Sequence, residues 1–121
     1  MKLNVNDSNI ELRVESNGLS GNGTTGTDQV QLNLGASGND VGLEMIIDPE
    51  SLTAEAYYTI ASGARTFLGS LPIPASYFTG RDIDLTGGQD NVSFAGIFAT
   101  HRNGTQFTAS FDEFSVATPP A

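Results

Sequence analysis

The chain has 121 residues, 14 acidic against 5 basic side chains, a formal net charge of −9 and no cysteine. That length fits one domain, and the missing cysteines exclude a disulfide framework, a thiolate metal site and cysteine catalysis. The charge opposes nucleic-acid binding and adsorption to anionic membranes, since both rely on Lys and Arg; its plain reading is solubility.

Gly, Ser, Thr, Asn and Val are frequent and helix formers sparse, the balance of an all-β domain with many turns. No apolar run approaches the roughly 18 residues that span a bilayer, so membrane insertion is not expected. Met1-Lys2 leads straight into alternating sequence, the pattern expected of a domain taken from a longer protein rather than of a signal peptide.

Leu3 and Val5 begin a strand, Asn6-Asp7-Ser8-Asn9 turns it, and Ile10, Leu12 and Val14 alternate with Glu11, Arg13 and Glu15 in a second, half-solvated strand. The spacing predicts a hairpin. Asn17 to Asp28 reads as a long Gly-rich loop. Val30, Leu32 and Leu34 predict the next strand, and Val41, Leu43, Met45 and Ile47 another, ending at Asp48-Pro49-Glu50. Asp48 is expected as an Asx-type turn residue. Ala54, Ala56 and Tyr58 then share one face and Glu55, Tyr57 and Thr59 the other, before Ser62-Gly63 turns the chain and Phe67 and Leu68 lead out. Pro72 to Gly80 is the one segment suited to a helical turn, with Pro74 fitting a first helical position and Gly80 the stop.

In the last third, Phe94, Gly96, Phe98 and Thr100 oppose Ala95, Ile97 and Ala99, and Phe107, Ala109 and Phe111 change phase at Asp112-Glu113 before Phe114 and Val116. This predicts two further strands, the second bulged, and a core containing Phe94, Ile97, Phe98, Phe107 and Phe111. About eight strands at this spacing predict an antiparallel two-sheet β-sandwich over 1–117, with 118–121 opening a linker.

Candidate chemistry is thin. Asp82-Ile-Asp84-Leu-Thr86-Gly87, with Asp90 and Asn91 beyond it, offers the oxygen-rich set that Ca²⁺ prefers. Ser93 stands where an EF-hand has its bidentate Glu, so the alternative is an acidic surface loop. His101, Arg102 and Asn103 form a polar corner able either to bond loop carbonyls or to pair with sugar hydroxyls. Tyr57, Tyr58 and Tyr77 could stack on a sugar ring, Tyr57 and Tyr58 on opposite faces so that at most one of them shares a platform, although the chain has no Trp. His101 is the only histidine and no Gly-x-Ser-x-Gly elbow is present, so neither a triad nor a His-based metal cluster can be assembled. Asn6, Asn22, Asn91 and Asn103 open N-x-Ser/Thr sequons.

Four segments in order, Ile47-Asp-Pro-Glu-Ser-Leu-Thr-Ala-Glu-Ala-Tyr57, Leu68-Gly-Ser-Leu-Pro-Ile-Pro74, Ala95-Gly-Ile-Phe-Ala-Thr-His-Arg102 and Phe107-Thr-Ala-Ser-Phe-Asp-Glu-Phe-Ser-Val116, resemble the C-terminal half of concanavalin A-like, laminin-G-like jelly-roll domains. Such domains are appended to large exported bacterial proteins. The resemblance covers roughly residues 41–117 and departs from the family in lacking earlier strands, as if truncated at the N-terminus, and in a long 80–91 segment. It implies a jelly-roll sandwich, outside the cell or on its surface, that binds carbohydrate or supports attachment of a larger protein without catalysis. The alternative is a structural or adhesive spacer stabilised by calcium. Implied partners are carbohydrate, neighbouring domains, and a second copy meeting an open sheet edge, where Leu3 and Val5 would otherwise close the fold.

Overall fold

A computed structural model describes residues 1–4, 8–16, 19–20, 29–35, 40–79, 96–100, 104–106 and 108–118. The chain divides into two units, Met1–Gly80 and Arg81–Ala121. All strands among the described residues lie in the first: β1 (Lys2–Asn4), β2 (Asn9–Arg13), β3 (Glu15–Ser16), β4 (Leu19–Ser20), β5 (Gln29–Asn33), β6 (Val41–Asp48), β7 (Thr53–Ile60) and β8 (Thr66–Pro72), followed by one helical turn, α1 (Ser76–Thr79). The protein is therefore mostly β, and its strand pairings are antiparallel.

Three ladders result, in the orders β1-β2-β5, β3-β4 and β6-β7-β8. The expected first hairpin is present, with Leu3 opposite Ile10. Leu3 lies in β1, an outer strand of the first sheet, and Val5, expected to close an edge with it, lies outside the described residues. The alternation of Ile10 and Leu12 continues into β5, where Leu32 and Val30 stand opposite them. The reverse face of β2 is polar yet enclosed. Glu11 is buried and pairs with Arg13 at 2.8 Å, Arg13 bonds Gln29, and the Gln29 amide donates to Gln31 at 2.6 Å. The stretch expected as a featureless loop after Asn17 includes β4, which pairs with β3 in a short ribbon.

The turn after β6 is built by Asp48. Its carboxylate accepts the Glu50 amide at 2.8 Å, the Ser51 amide at 3.2 Å and the Ser51 hydroxyl at 2.7 Å, the Asx-type arrangement the sequence predicts. These bonds, the Ser51 hydroxyl foremost, hold the carboxyl below its ordinary value. The turn after β7 sits one residue earlier than Gly63 implies. Gly63 N–H donates to the Ile60 carbonyl at 2.9 Å, and Ala61 and Ser62 take φ of 50° and 59°. The chain leaves β8 into the helical turn at the position the Pro and Gly pattern marks.

The core is aliphatic: Leu12, Ala54, Ala56, Leu71 and Ile73, with Met1, Val14, Val30, Leu68 and Phe78 packed around it. The β1-β2-β5 sheet meets the β6-β7-β8 sheet where β5 lies against β8. Gly69 makes that approach feasible, because a Cβ there would sit 2.6 Å from Val30 Cγ1.

The expected aromatic core is corrected. In Arg81–Ala121 the described residues form neither strand nor helix, and Ile97, Phe98 and Phe111 are exposed, Phe98 by 83%. Phe94 and Phe107 lie outside the described residues. Alternation specifies a strand only when a neighbouring edge accepts its hydrogen bonds and a face accepts its side chains. The aliphatic residues of β2, β7 and β8 have both, whereas no strand partner exists for 96–100 or 108–118 among the described residues.

Candidate functional site

Among the described residues, an exposed constellation of chemically capable side chains lies on the outer face of the β6-β7-β8 sheet. In an antiparallel ladder, residues directly opposite share a face. Glu44 stands opposite Tyr57 and Tyr57 opposite Phe67, so these three form a row across the sheet, away from the Ala54–Ala56–Leu71 core. Phe67 joins the row because of a bulge. Ala56 pairs with Gly69 but Tyr57 pairs with Phe67, which leaves Leu68 as the extra residue. Leu68 packs on the core and Phe67 is turned outward beside Tyr57, their ring centroids 5.2 Å apart and tilted by 58°.

Arg65, just before β8, completes the group. Its guanidinium carbon lies 3.3 Å from the centre of the Tyr57 ring. Its Nε and Nη2 donate to the two Glu44 oxygens at 2.6 and 2.9 Å. This is a two-point guanidinium–carboxylate pair stacked on an aromatic face. The Arg65 bonds hold the Glu44 carboxyl below its ordinary range, and Glu44 holds the guanidinium charged far above neutrality. The Tyr57 hydroxyl donates to Glu55 at 2.7 Å, and that bond raises the phenol above its ordinary value. A shallow depression of about 140 Å³ adjoins the group, bounded by Gly42, Leu43, Glu44, Tyr58, Thr59 and Arg65.

Tyr57, expected as a stacking residue, is thus part of this group, with Arg65 over its ring. Tyr77 is not; it lies in α1, where partial burial and then the nearby Glu15 carboxylate raise its phenol. The Tyr77 amide donates to the Pro74 carbonyl at 3.0 Å, which closes the helical turn. His101, Arg102 and Asn103, and the calcium candidates Asp82, Asp84, Asp90 and Asn91, lie outside the described residues. Among the described residues, no three His, Cys, Asp or Glu side chains converge as a metal site. No helix among them is long and apolar enough to cross a membrane.

Sequence reasoning missed Arg65, Glu44, Glu55 and Phe67. The signal for two of them was present: Glu44 and Glu55, like Tyr57, sit at strand positions opposite in phase to the apolar residues. Phe67 carried no such signal, because two-residue alternation from Leu71 and Gly69 assigns it to the core face. Comparison with family models, with curated proteins and with solved structures finds no match for this chain.

Proposed function

We propose that this chain is a non-catalytic binding module of jelly-roll, concanavalin A-like type, displayed outside the cell, which takes carbohydrate on the outer face of its β6-β7-β8 sheet. The observation that carries the reading is the Tyr57–Arg65–Phe67 platform flanked by the Glu44 and Glu55 carboxylates. Sugars present an apolar C–H face rimmed by hydroxyls. Phe67, 54% exposed, offers a π surface to the former, and a guanidinium with carboxylates offers donors and acceptors to the latter.

A glycan array tests the reading. The native chain is expected to retain at least one glycan class, and Phe67→Ala and Arg65→Ala to lose it while keeping the native circular dichroism. An array with no retained glycan removes the reading. A structural spacer is the second reading, favoured by the Arg65 guanidinium already covering one side of Tyr57. Stabilisation of that spacer by Ca²⁺ through Asp82, Asp84, Asp90 and Asn91 predicts a melting temperature that falls on chelation.

A further inference from the structure

We infer that the free edge of β6 is a self-pairing surface, through which two copies of this chain join their β6-β7-β8 sheets antiparallel about Met45. β6 is an outer strand of its sheet, hydrogen-bonded on one side by β7, whereas β8, on the other side, lies against β5. The direction of its backbone groups follows from one bond. The Ala61 amide donates to the Asp40 carbonyl at 2.8 Å, one step beyond the Val41–Ile60 pair. Hydrogen-bonded and non-hydrogen-bonded pairs alternate along an antiparallel ladder. Gly42, Glu44, Ile46 and Asp48 therefore turn their N–H and C=O groups toward β7, and Val41, Leu43, Met45 and Ile47 turn theirs to the open edge.

Those same edge-facing residues are the apolar ones. Leu43, Met45 and Ile47 share the face of Ala54 and Ala56, yet they remain 39%, 45% and 45% exposed. An apolar row of unpaired backbone groups is what a further strand recognises. The usual guards are weak here. The strand contains no Pro and no Lys, and its central carboxylate, Glu44, lies on the face opposite Leu43, Met45 and Ile47.

Charge selects both the occupant and the register. Pairing about Met45 sets Met45 against Met45 of the second copy, Leu43 against its Ile47, and Glu44 against its Ile46. On the face shared by Leu43, Met45 and Ile47, apolar side chains then meet apolar ones, and within β6 no like charges stand opposite. Within β6, a one-position shift of the two-fold toward Glu44 would oppose the two Glu44 carboxylates, and a shift toward Ile46 would oppose Glu44 and Asp48. Like charges directly opposite are destabilising, which disfavours both neighbouring registers, and centring on Met45 pairs more of β6 than centring on Leu43. A seam of one strand pair is at the small end of stable interfaces, so the dimer is expected to dissociate on dilution.

Light scattering across a protein dilution series, with hydrogen exchange on the same samples, tests this. The concentrated native chain is expected at twice its 12.7 kDa monomer mass. The Leu43, Met45 and Ile47 amides should gain protection with concentration, while Glu44 and Ile46, bonded to β7 throughout, should not change. Met45→Lys sets two ammonium groups opposite each other and should restore the monomer mass at all concentrations. Should that variant fail to fold, the exchange pattern of the native chain decides alone. A native chain that stays monomeric with concentration-independent exchange overturns the inference. So does a dimer that leaves the Leu43, Met45 and Ile47 amides unprotected, since it would use another surface.

Discussion

At the residue scale, the described core rests on a few buried aliphatic side chains. Leu12 and Leu71 are almost completely enclosed, so truncating either removes buried surface and leaves a cavity. Leu12→Ala and Leu71→Ala are each expected to cost about 2–5 kcal/mol, and Phe98→Ala to stay within about 0.5 kcal/mol, in urea melts. The opposite ranking would restore the aromatic core. Two described carboxyls contribute to the acid response. Glu44 and Asp48 are both held below their ordinary values of 4.5 and 3.8, the first chiefly by Arg65 and the second chiefly by Ser51. A depressed folded-state pKa means the unfolded chain takes up protons first. The stabilisation is therefore complete above those ordinary values and is lost as pH falls through the lower folded ones. Melting temperatures from neutral pH downward should drop below about pH 4.5, and Asp48→Ala should flatten the lowest part of that slope. A melting profile that Asp48→Ala merely offsets, at the same slope, would deny the carboxylate this role.

At the scale of elements, two connections test how local conformation serves sheet packing. The β7–β8 turn holds Ala61 and Ser62 in the left-handed region, where a Cβ is disfavoured by roughly 1–2 kcal/mol per residue. A turn whose two central residues both take positive φ favours Asn-Gly. Ala61→Asn with Ser62→Gly should therefore raise stability by about 1 kcal/mol, read as a higher urea midpoint at unchanged slope. The β5–β8 contact is the reverse case. Gly69→Ala drives a methyl group onto Val30 and should cost about 1–3 kcal/mol by overpacking. Val30→Ala vacates that space, so the double variant should recover part of the loss. Strictly additive costs would show that Gly69 is needed for another reason. These elements also show what the sequence discloses. β2, β5, β6 and β7 were legible because strict alternation and turn residues bracket them. The Tyr57–Phe67 pair was not, because a single extra residue, Leu68, reverses the face assignment of everything before it. Nor was the status of the last third, since Phe98 and Phe111 alternate as well as any core strand does and pattern alone does not supply a neighbour.

At the scale of the whole molecule, the excess of negative charge governs the response to salt. Fourteen acidic against five basic side chains leave −9 at neutral pH on a 121-residue chain. The described basic groups Arg13 and Arg65 are each committed to a glutamate close by. The remaining carboxylates repel one another, and compaction raises that cost relative to the expanded chain. Added salt therefore acts in two opposing ways. Screening weakens the Arg65–Glu44 pair, which is exposed and contributes modestly in any case. It also weakens the long-range repulsion, which acts over distances beyond the roughly 10 Å Debye length at 0.1 M salt but within the roughly 30 Å length at 0.01 M. The many distant repulsions outnumber the few close pairs, so relief of repulsion should prevail. The melting temperature is expected to rise between 0.01 and 0.1 M NaCl, measured well above the isoelectric point of about 4.1. The same rise should be absent near that point, where the net charge vanishes. A melting temperature that falls with salt would mean that the local pairs outweigh the global field, with the Arg65–Glu44 group then holding the sheet as well as offering a surface.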